Sequence, residues 1–141
     1  MISIVDTDAL VGLFDKNDAL HRRSKRLINS LAEENIDTAL LPTTLGEFVT
    51  LATIKMGRMQ TQNATNELIH SNVIHLEMTT ELTQDAIGLY LSQKSKEESL
   101  FDCYNMIAAR KNLVECILSF DKGYTKNGFV LAGEFVKIVK S

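Results

Sequence analysis

The sequence has few of the residues that interrupt regular structure. Its 141 residues include only one proline and seven glycines, which argues against a linker or a low-complexity protein. It also lacks any run of about 18 apolar residues, so no transmembrane helix is expected. Hydrophobic residues nevertheless make up 45% of the chain. That share is enough for the core of one domain, which we expect to span residues 1–141.

Cysteine and histidine are also scarce. Cys103 and Cys116 form no CxxC pair, and we expect them to be reduced core cysteines of a cytoplasmic protein. The three histidines have no zinc-ligand spacing. The opening segment MISIVDTD has no basic region before its first acid, so a signal peptide is not expected. The formal net charge of −3 counts mildly against a nonspecific nucleic-acid binder, although local patches and bound cations matter more than the sum.

Short apolar runs alternate with amphipathic segments along the chain. Strands are predicted at residues 2–5, 38–41, 73–76 and 116–119, with weaker ones at 129–131 and 136–139. Helices are predicted at residues 9–14, 18–34, 44–56, 60–70, 80–95 and 100–111. The third of these carries Leu51 and Ile54 opposite its main apolar face, which predicts burial on more than one side. Alternation without a hairpin signal predicts an α/β fold, with a central parallel sheet of four or five strands and helices on both faces.

Four acidic residues are expected at one edge of this sheet. Asp6 follows the first strand and Asp121 follows the fourth, and ligands of open parallel sheets bind beyond the carboxyl ends of the strands. Asp102 opens the helix at 100–111, and Glu47 lies one turn into the helix after the second strand, so both could face the same crevice. No lysine or arginine lies within three residues of Asp6 or Glu47. Because gathered carboxylates repel each other unless a cation joins them, this oxygen-only set favours Mg²⁺ or Mn²⁺ and metal-assisted phosphoryl chemistry.

Each of these acids also has a purely structural interpretation, in a helix cap or a turn. The alternatives are capping boxes at Thr44-x-x-Glu47 and Ser99-x-x-Asp102, an N-cap at Asp6 or Asp8, and a turn at Asp121-Lys122-Gly123. Capping is the favoured role for Asp8. The four acids together are harder to explain in this way, because all of them fall at the same predicted edge.

Other polar residues lie close to the four acids in the sequence or form a patch of their own. Asn105 falls on the same side of its helix as Asp102. A basic cluster on the second helix consists of Arg22, Arg23, Lys25 and Arg26. A solvated helix face explains this cluster most simply, and contact with an RNA backbone is the alternative.

Four segments of the chain carry a resemblance to a known family. IVDTDALVGLF, TTLGEFVTLA, SLFDCYNMIAAR and ILSFDKGY resemble, in order and spacing, the motifs of PIN-domain ribonucleases, and are most similar to the VapC toxins of toxin–antitoxin pairs. The resemblance covers nearly the whole chain. It implies a PIN fold and a divalent-metal endoribonuclease that leaves 5′-phosphate and 3′-hydroxyl ends.

The resemblance also implies roles for particular residues and partners. Asp6, Asp102 and Asp121 would hold Mg²⁺ or Mn²⁺ directly, and Glu47 would complete the site. Ser119 stands where the family often has Thr or Ser, whereas Asp8 stands where its first motif often ends in Asn or Ser. An antitoxin partner and a homodimer are implied as well.

Three other functions are compatible with parts of the pattern. An RNA-processing nuclease without an antitoxin would keep the same acids. A catalytically silent binding module for RNA or protein would not need all four. A phosphatase or response-regulator-like domain would fit Asp6-Thr7-Asp8 in part, but it needs a lysine after a later strand, and only Lys122, beside an acid, is available.

Overall fold

A computed structural model describes residues 1–94 and 97–141 of the chain. The elements in order are β1 (Ile2–Val5), α1 (Thr7–Phe14), α2 (His21–Glu33), β2 (Asp37–Leu40), α3 (Pro42–Met56), α4 (Arg58–Ile69), β3 (Ile74–His75), α5 (Thr80–Ser92), α6 (Leu100–Lys111), β4 (Cys116–Leu118), α7 (Gly123–Lys126) and α8 (Ala132–Lys140). The predicted alternation of strands and helices is therefore present.

The described strands form one parallel sheet in the order β3-β2-β1-β4. β1 is central: Ile4 pairs with Ala39 of β2 on one side, and Val5 pairs with Leu118 of β4 on the other. After β1 the chain adds β2 and β3 toward one edge of the sheet, and it later adds β4 on the other flank of β1. In open parallel sheets such a switch point opens a crevice at the carboxyl ends of the two strands.

Alternate side chains of the strands enter two separate cores. Val5 and Leu118 pack on one side of the sheet, together with residues of α1 to α4 and α8. Ile4 and Ile117 point the other way, into a core completed mainly by α5 and α6. Side chains alternate across a strand, so a sheet covered on both faces needs apolar residues at successive positions. The predicted α/β fold, with a central parallel sheet and helices on both faces, is confirmed.

Individual elements differ from the prediction near the end of the chain. The predicted helix at 100–111 is confirmed as α6, whereas the strand predicted at 136–139 is wrong, because α8 covers that segment. Buried Ala132 and Val136 lie four residues apart, the spacing of one helical face, and this spacing prevails over the β-branched run. In the segment 129–131, Leu131 makes one isolated parallel bridge to Ile117. The helix predicted at 80–95 ends at Ser92, and Ser95 lies outside the described residues.

Cys103 and Cys116 are both buried free thiols. Within the described part of the chain, no helix combines the length and the apolarity that crossing a bilayer requires.

Candidate active site

The carboxyl ends of β1 and β4 carry adjacent polar residues. Asp6 directly follows β1, and its extended backbone (φ −98°, ψ 163°) makes it the N-cap of α1, with its side chain accepting a hydrogen bond from the Thr7 amide. Ser119 and Asp121 follow β4. Because Val5 pairs with Leu118, Asp6 lies beside the start of that loop, and its amide donates to the Leu118 carbonyl at 3.0 Å.

Asp6 is almost completely enclosed, and four neutral groups donate hydrogen bonds to it. Its exposed fraction is 6%. Oδ1 accepts from the Thr7 amide at 2.8 Å and from Asn105 Nδ2 at 3.2 Å. Oδ2 accepts from the Tyr124 hydroxyl at 2.9 Å and from Ser119 Oγ at 3.2 Å. These bonds fix the carboxylate in place, but none of the donors carries a positive charge.

The electrostatic state of the neighbouring acids follows from burial and mutual repulsion. Burial, reinforced by the charge of Asp8, raises the pKa of Asp6 to about 7. Burial also raises the pKa values of Asp8 and Asp102, and repulsion from Asp121 adds to both shifts. Among residues 1–94 and 97–141, no lysine, arginine or histidine forms an ion pair with Asp6, Asp8, Asp102 or Asp121. The site therefore concentrates negative charge without a protein counterion.

Asp102 combines the two roles that the sequence left open. It forms a capping box with Ser99, since its Oδ2 accepts from the Ser99 amide at 2.8 Å and its own amide donates to Ser99 Oγ at 3.2 Å. The other oxygen, Oδ1, faces the Tyr124 hydroxyl at 3.2 Å. The capping interpretation is correct for this residue, yet Asp102 still lines the same cavity as Asp6.

Glu47 reaches the site from α3, and the capping box predicted around it is wrong. The helix begins at Pro42 with Leu41 as its N-cap, because proline is well suited to the first helical position. Thr44 therefore lies inside the helix and donates to Asn105 Oδ1 at 3.2 Å. Oε1 of Glu47 instead accepts a short hydrogen bond from the hydroxyl of Thr7.

Asp8 is not the cap of α1, so the capping role favoured for it is wrong. Asp6 occupies the N-cap position, and Asp8 lies in the first turn. Its Oδ2 accepts from the Phe120 amide at 2.9 Å and lies 3.1 Å from Ser119 Oγ, while Oδ1 accepts from the Ala9 amide at 2.7 Å. Asp8 therefore ties α1 to the loop that carries Asp121.

One cavity of about 470 Å³ brings the predicted acids together. Its acidic wall contains Asp6, Asp8, Glu47, Asp102 and Asp121. The lining also includes the apolar residues Val11, Leu20, Leu51 and Ile54, and an ion pair between Lys55 and Asp18. The predicted burial of Leu51 and Ile54 is wrong, because they are 43% and 79% exposed; the second side of α3 faces this open cavity.

Tyr124 is the main site residue that the sequence did not predict. It is fully buried and joins the two halves of the acidic wall, because its hydroxyl lies within hydrogen-bond distance of Asp6, Asp102 and Asn105 Nδ2. Burial, together with the charges of Asp6 and Asp102, raises the pKa of this phenol, which therefore stays protonated as a donor. A signal existed in the sequence, since an aromatic residue follows Asp121 by three positions. It could be interpreted only once the short helix α7 was known.

The basic cluster on α2 lies outside the cavity lining. Arg22, Arg23, Lys25 and Arg26 are all exposed. The Arg23 guanidinium lies 4.6 Å from the ring centroid of Phe120, the residue before Asp121. This cation–π contact connects the cluster to the loop at the rim of the cavity.

The donor set of the cavity fits a hard divalent cation. The acidic wall offers only oxygen ligands, the type that Mg²⁺ and Mn²⁺ prefer, and it lacks a protein counterion among the described residues. In that part of the chain, no three His, Cys, Asp or Glu side chains already stand close enough to form a ligand set. The Tyr124 hydroxyl lies between Asp6 and Asp102, so side-chain adjustment would accompany binding.

Comparison with known proteins identifies the fold. No family model and no curated protein matches the sequence. Among solved structures, VapC20 of Mycobacterium tuberculosis, described as a toxin that cleaves the sarcin–ricin loop, aligns with a TM-score of 0.82 and 25% identity over 92% of this chain and 97% of that chain. This chain has a VapC-like PIN fold. VapBC2 of Rickettsia felis, solved bound to a DNA fragment from its promoter, gives a TM-score of 0.70 at 16% identity, over 93% of this chain and 97% of that one. The second likeness concerns the fold alone, and the VapC resemblance predicted from the four segments is confirmed.

Proposed function

We propose that this protein is an endoribonuclease that requires Mg²⁺ or Mn²⁺. The observation that carries the proposal is the acidic wall of the cavity, where Asp6, Asp8, Asp102 and Asp121 meet without a cationic partner among the described residues. The VapC-like fold supports the choice of RNA as substrate, because VapC20 is described as a toxin that cleaves the sarcin–ricin loop.

Asp6, Asp102 and Asp121 are the residues that would hold the cation, and Glu47 would complete the site directly or through water. When bound, a divalent cation supplies Lewis acidity and neutralises charge at a phosphate. The remaining residues position these acids. Tyr124 and Asn105 hold Asp6 at its two oxygens. Cleavage with 5′-phosphate and 3′-hydroxyl products is the outcome expected from this class.

The cavity also suggests how RNA would be oriented. Its acidic residues would face the scissile phosphate through the cation, and its apolar lining residues would contact less polar parts of the substrate. The basic cluster, Arg22, Arg23, Lys25 and Arg26, would contact the phosphate backbone outside the cavity, a contribution that weakens with salt. Arg23 would do so from the rim, where Phe120 holds its guanidinium.

The biological role follows from the resemblance. We infer that the chain is the toxin of a toxin–antitoxin pair, that an antitoxin protein is its partner, and that it forms a homodimer in the cytoplasm. The VapBC2 structure, which has the same fold, supports the antitoxin.

The test is cleavage of total cellular RNA by the purified protein, with cleavage sites mapped at nucleotide resolution. Activity should require Mg²⁺ or Mn²⁺, vanish with EDTA, and be poorly supported by Ca²⁺, which is larger and more loosely coordinated. Asp6→Asn and Asp121→Asn should each lose most activity while circular dichroism stays unchanged. Asp37→Asn is a matched control, because Asp37 is an exposed acid at the opposite end of β2. Full activity of folded Asp6→Asn, or cleavage in excess EDTA, would refute the proposal.

A further inference from the structure

Among the residues that the structure describes, one side chain of the cavity lining carries a positive charge. It belongs to Lys55, in the last turn of α3. Its Nζ lies 2.7 Å from Oδ2 of Asp18, and the two side chains are 50% and 11% exposed. The function proposed above does not use this ion pair, so its presence in the same cavity as the acidic wall needs a separate explanation.

Stability of the fold is a poor explanation for the pair. An ion pair with a half-exposed partner contributes little to stability. Asp18 is also fixed without Lys55, because its Oδ1 accepts from the Leu20 amide at 2.9 Å and its carbonyl accepts from the His21 amide at 3.0 Å. The carboxylate therefore holds the lysine in position, rather than the reverse.

Lys55 keeps donors for a second acceptor. An ammonium group has three N–H donors, and within residues 1–94 and 97–141 its one hydrogen bond goes to Asp18. Half of the side chain is open to solvent, and a lysine is a compact point charge on a flexible stem. A phosphate oxygen can therefore approach the ammonium group without displacing the carboxylate.

The spacing along α3 indicates which phosphate that would be. Glu47, Leu51 and Lys55 follow one another at intervals of four residues, and all three line the cavity, so they form one stripe on the helix. Lys55 follows Glu47 by eight positions, which is about 12 Å along the helix axis. The ammonium group thus lies away from the end of the stripe that completes the metal site. It would face a phosphate further along the RNA strand, rather than the scissile one.

We propose that Lys55, held by Asp18, forms a subsite for a phosphodiester group that neighbours the scissile phosphate of the RNA. The proposal rests on the proposed function for the identity of the ligand as RNA. Leu51, between Glu47 and Lys55 on the same stripe, would contact the nucleoside that joins the two phosphates. Lys55 is then a positioning residue, which holds the strand in register and takes no part in bond cleavage.

RNA binding by a protein that does not cleave tests the subsite. The background is Asp121→Asn, and the measurement is its affinity for a short fluorescein-labelled single-stranded RNA, by fluorescence anisotropy, over a range of salt. Each phosphate that a cation neutralises contributes about 0.7 to the slope of log affinity against log salt for a single strand. Lys55→Met should therefore lower the slope by about 0.7, which corresponds to about fivefold weaker binding at about 0.1 M salt.

The kinetics of the cleaving protein give a second measurement. Lys55→Met should raise KM for the same RNA and leave kcat nearly unchanged, because a contact with a neighbouring phosphate is equally strong in the ground state and the transition state. A fall in kcat at unchanged KM would contradict the assigned positioning role.

Asp18→Asn distinguishes a phosphate subsite from a structural ion pair. It breaks the same pair but keeps the ammonium group, and asparagine can still accept from the Leu20 amide. This variant should bind RNA more tightly, because it removes a carboxylate that competes for Lys55 and repels phosphate. If Asp18→Asn weakened binding as much as Lys55→Met does, the pair would be structural and the subsite would be overturned. An unchanged salt slope in Lys55→Met would overturn it as well.

Lys111→Met is the matched control, because Lys111 also forms ion pairs, with Glu81 at 3.0 Å and Asp85 at 2.9 Å, and lies outside the cavity lining. It should change neither the salt slope nor KM. The two proposals fail separately. A protein that cleaves RNA with Mg²⁺ but binds it equally well after Lys55→Met keeps its proposed function and loses the subsite. A protein that shows the Lys55-dependent slope but never cleaves RNA keeps the subsite and loses the nuclease activity.

Discussion

Replacing Asp6 by asparagine should stabilise the metal-free protein, and the gain should increase with pH. The pKa of Asp6 is about 7 in the folded chain, against 3.8 for an ordinary aspartate. Below that lower value the carboxyl group is protonated in both states. As the pH rises, the unfolded chain releases its proton first, so the folded state loses stability progressively until the pH passes about 7. The cause is burial, with repulsion from Asp8 second.

The magnitude follows from the size of this shift. A difference of about three pKa units corresponds to roughly 4 kcal/mol of unfolding free energy, and solvent screens little of it because Asp6 is 6% exposed. Asparagine keeps the shape of the side chain but cannot accept from all four donors. The lost hydrogen bonds should lower the unfolding free energy of the variant by about 1–2 kcal/mol, which offsets part of the gain. The net gain of Asp6→Asn should therefore be roughly 2–3 kcal/mol above neutral pH, and absent or negative in acid.

Urea unfolding in EDTA, at about pH 5 and about pH 8, measures this difference. The stability of the variant minus that of the wild type should grow by roughly 3 kcal/mol between these two conditions. Saturating Mg²⁺ should favour the wild type, because a ligand that binds only the folded chain stabilises it. The exposed Asp37→Asn should show no such trend. A difference that does not change with pH, or a variant less stable than wild type at the higher pH, would refute the assigned burial cost.

Two further predictions concern Tyr124 and assembly. Tyr124→Phe keeps the ring but leaves Asp6 and Asp102 without their shared donor, so it should destabilise the protein by about 1–3 kcal/mol in urea unfolding and lower RNA cleavage at saturating metal; unchanged stability and activity would show that the hydroxyl is dispensable. Light scattering at micromolar concentration should give twice the chain mass, and a strictly monomeric protein would remove the dimer without affecting the catalytic proposal.

Much of the fold could be predicted because its strands are buried on both faces. Successive apolar residues such as Ile4 and Val5 enter different cores, which gives the short continuous runs typical of a parallel sheet. The same logic failed for α8. The β-branched residues of that segment predicted a strand. The segment is a helix, because Ala132 and Val136 pack on one helical face.

The sequence predicted that the acids lie at one edge of the sheet, but it did not predict their hydrogen-bond partners. Asp6 and Asp121 follow strands, and strand ends determine where they lie. Apart from the Thr7 amide, the partners of Asp6 are Asn105, Ser119 and Tyr124, which lie about 100 residues or more further along the chain. No local spacing encodes such contacts, which is why Tyr124 was missed. The role of Asp8 was mistaken for the same reason, since its partner is the Phe120 amide.

The pairing of β1 with β4 has a consequence for synthesis of the protein. Asp6 leaves the ribosome long before the strand beside it, which ends at Leu118. Until that late strand docks, Asp6 has neither Ser119 nor Tyr124 as a partner, and closing so long a loop is entropically costly. A nascent chain therefore cannot assemble its acidic wall before Ser119, Asp121 and Tyr124 have been translated and have docked beside Asp6.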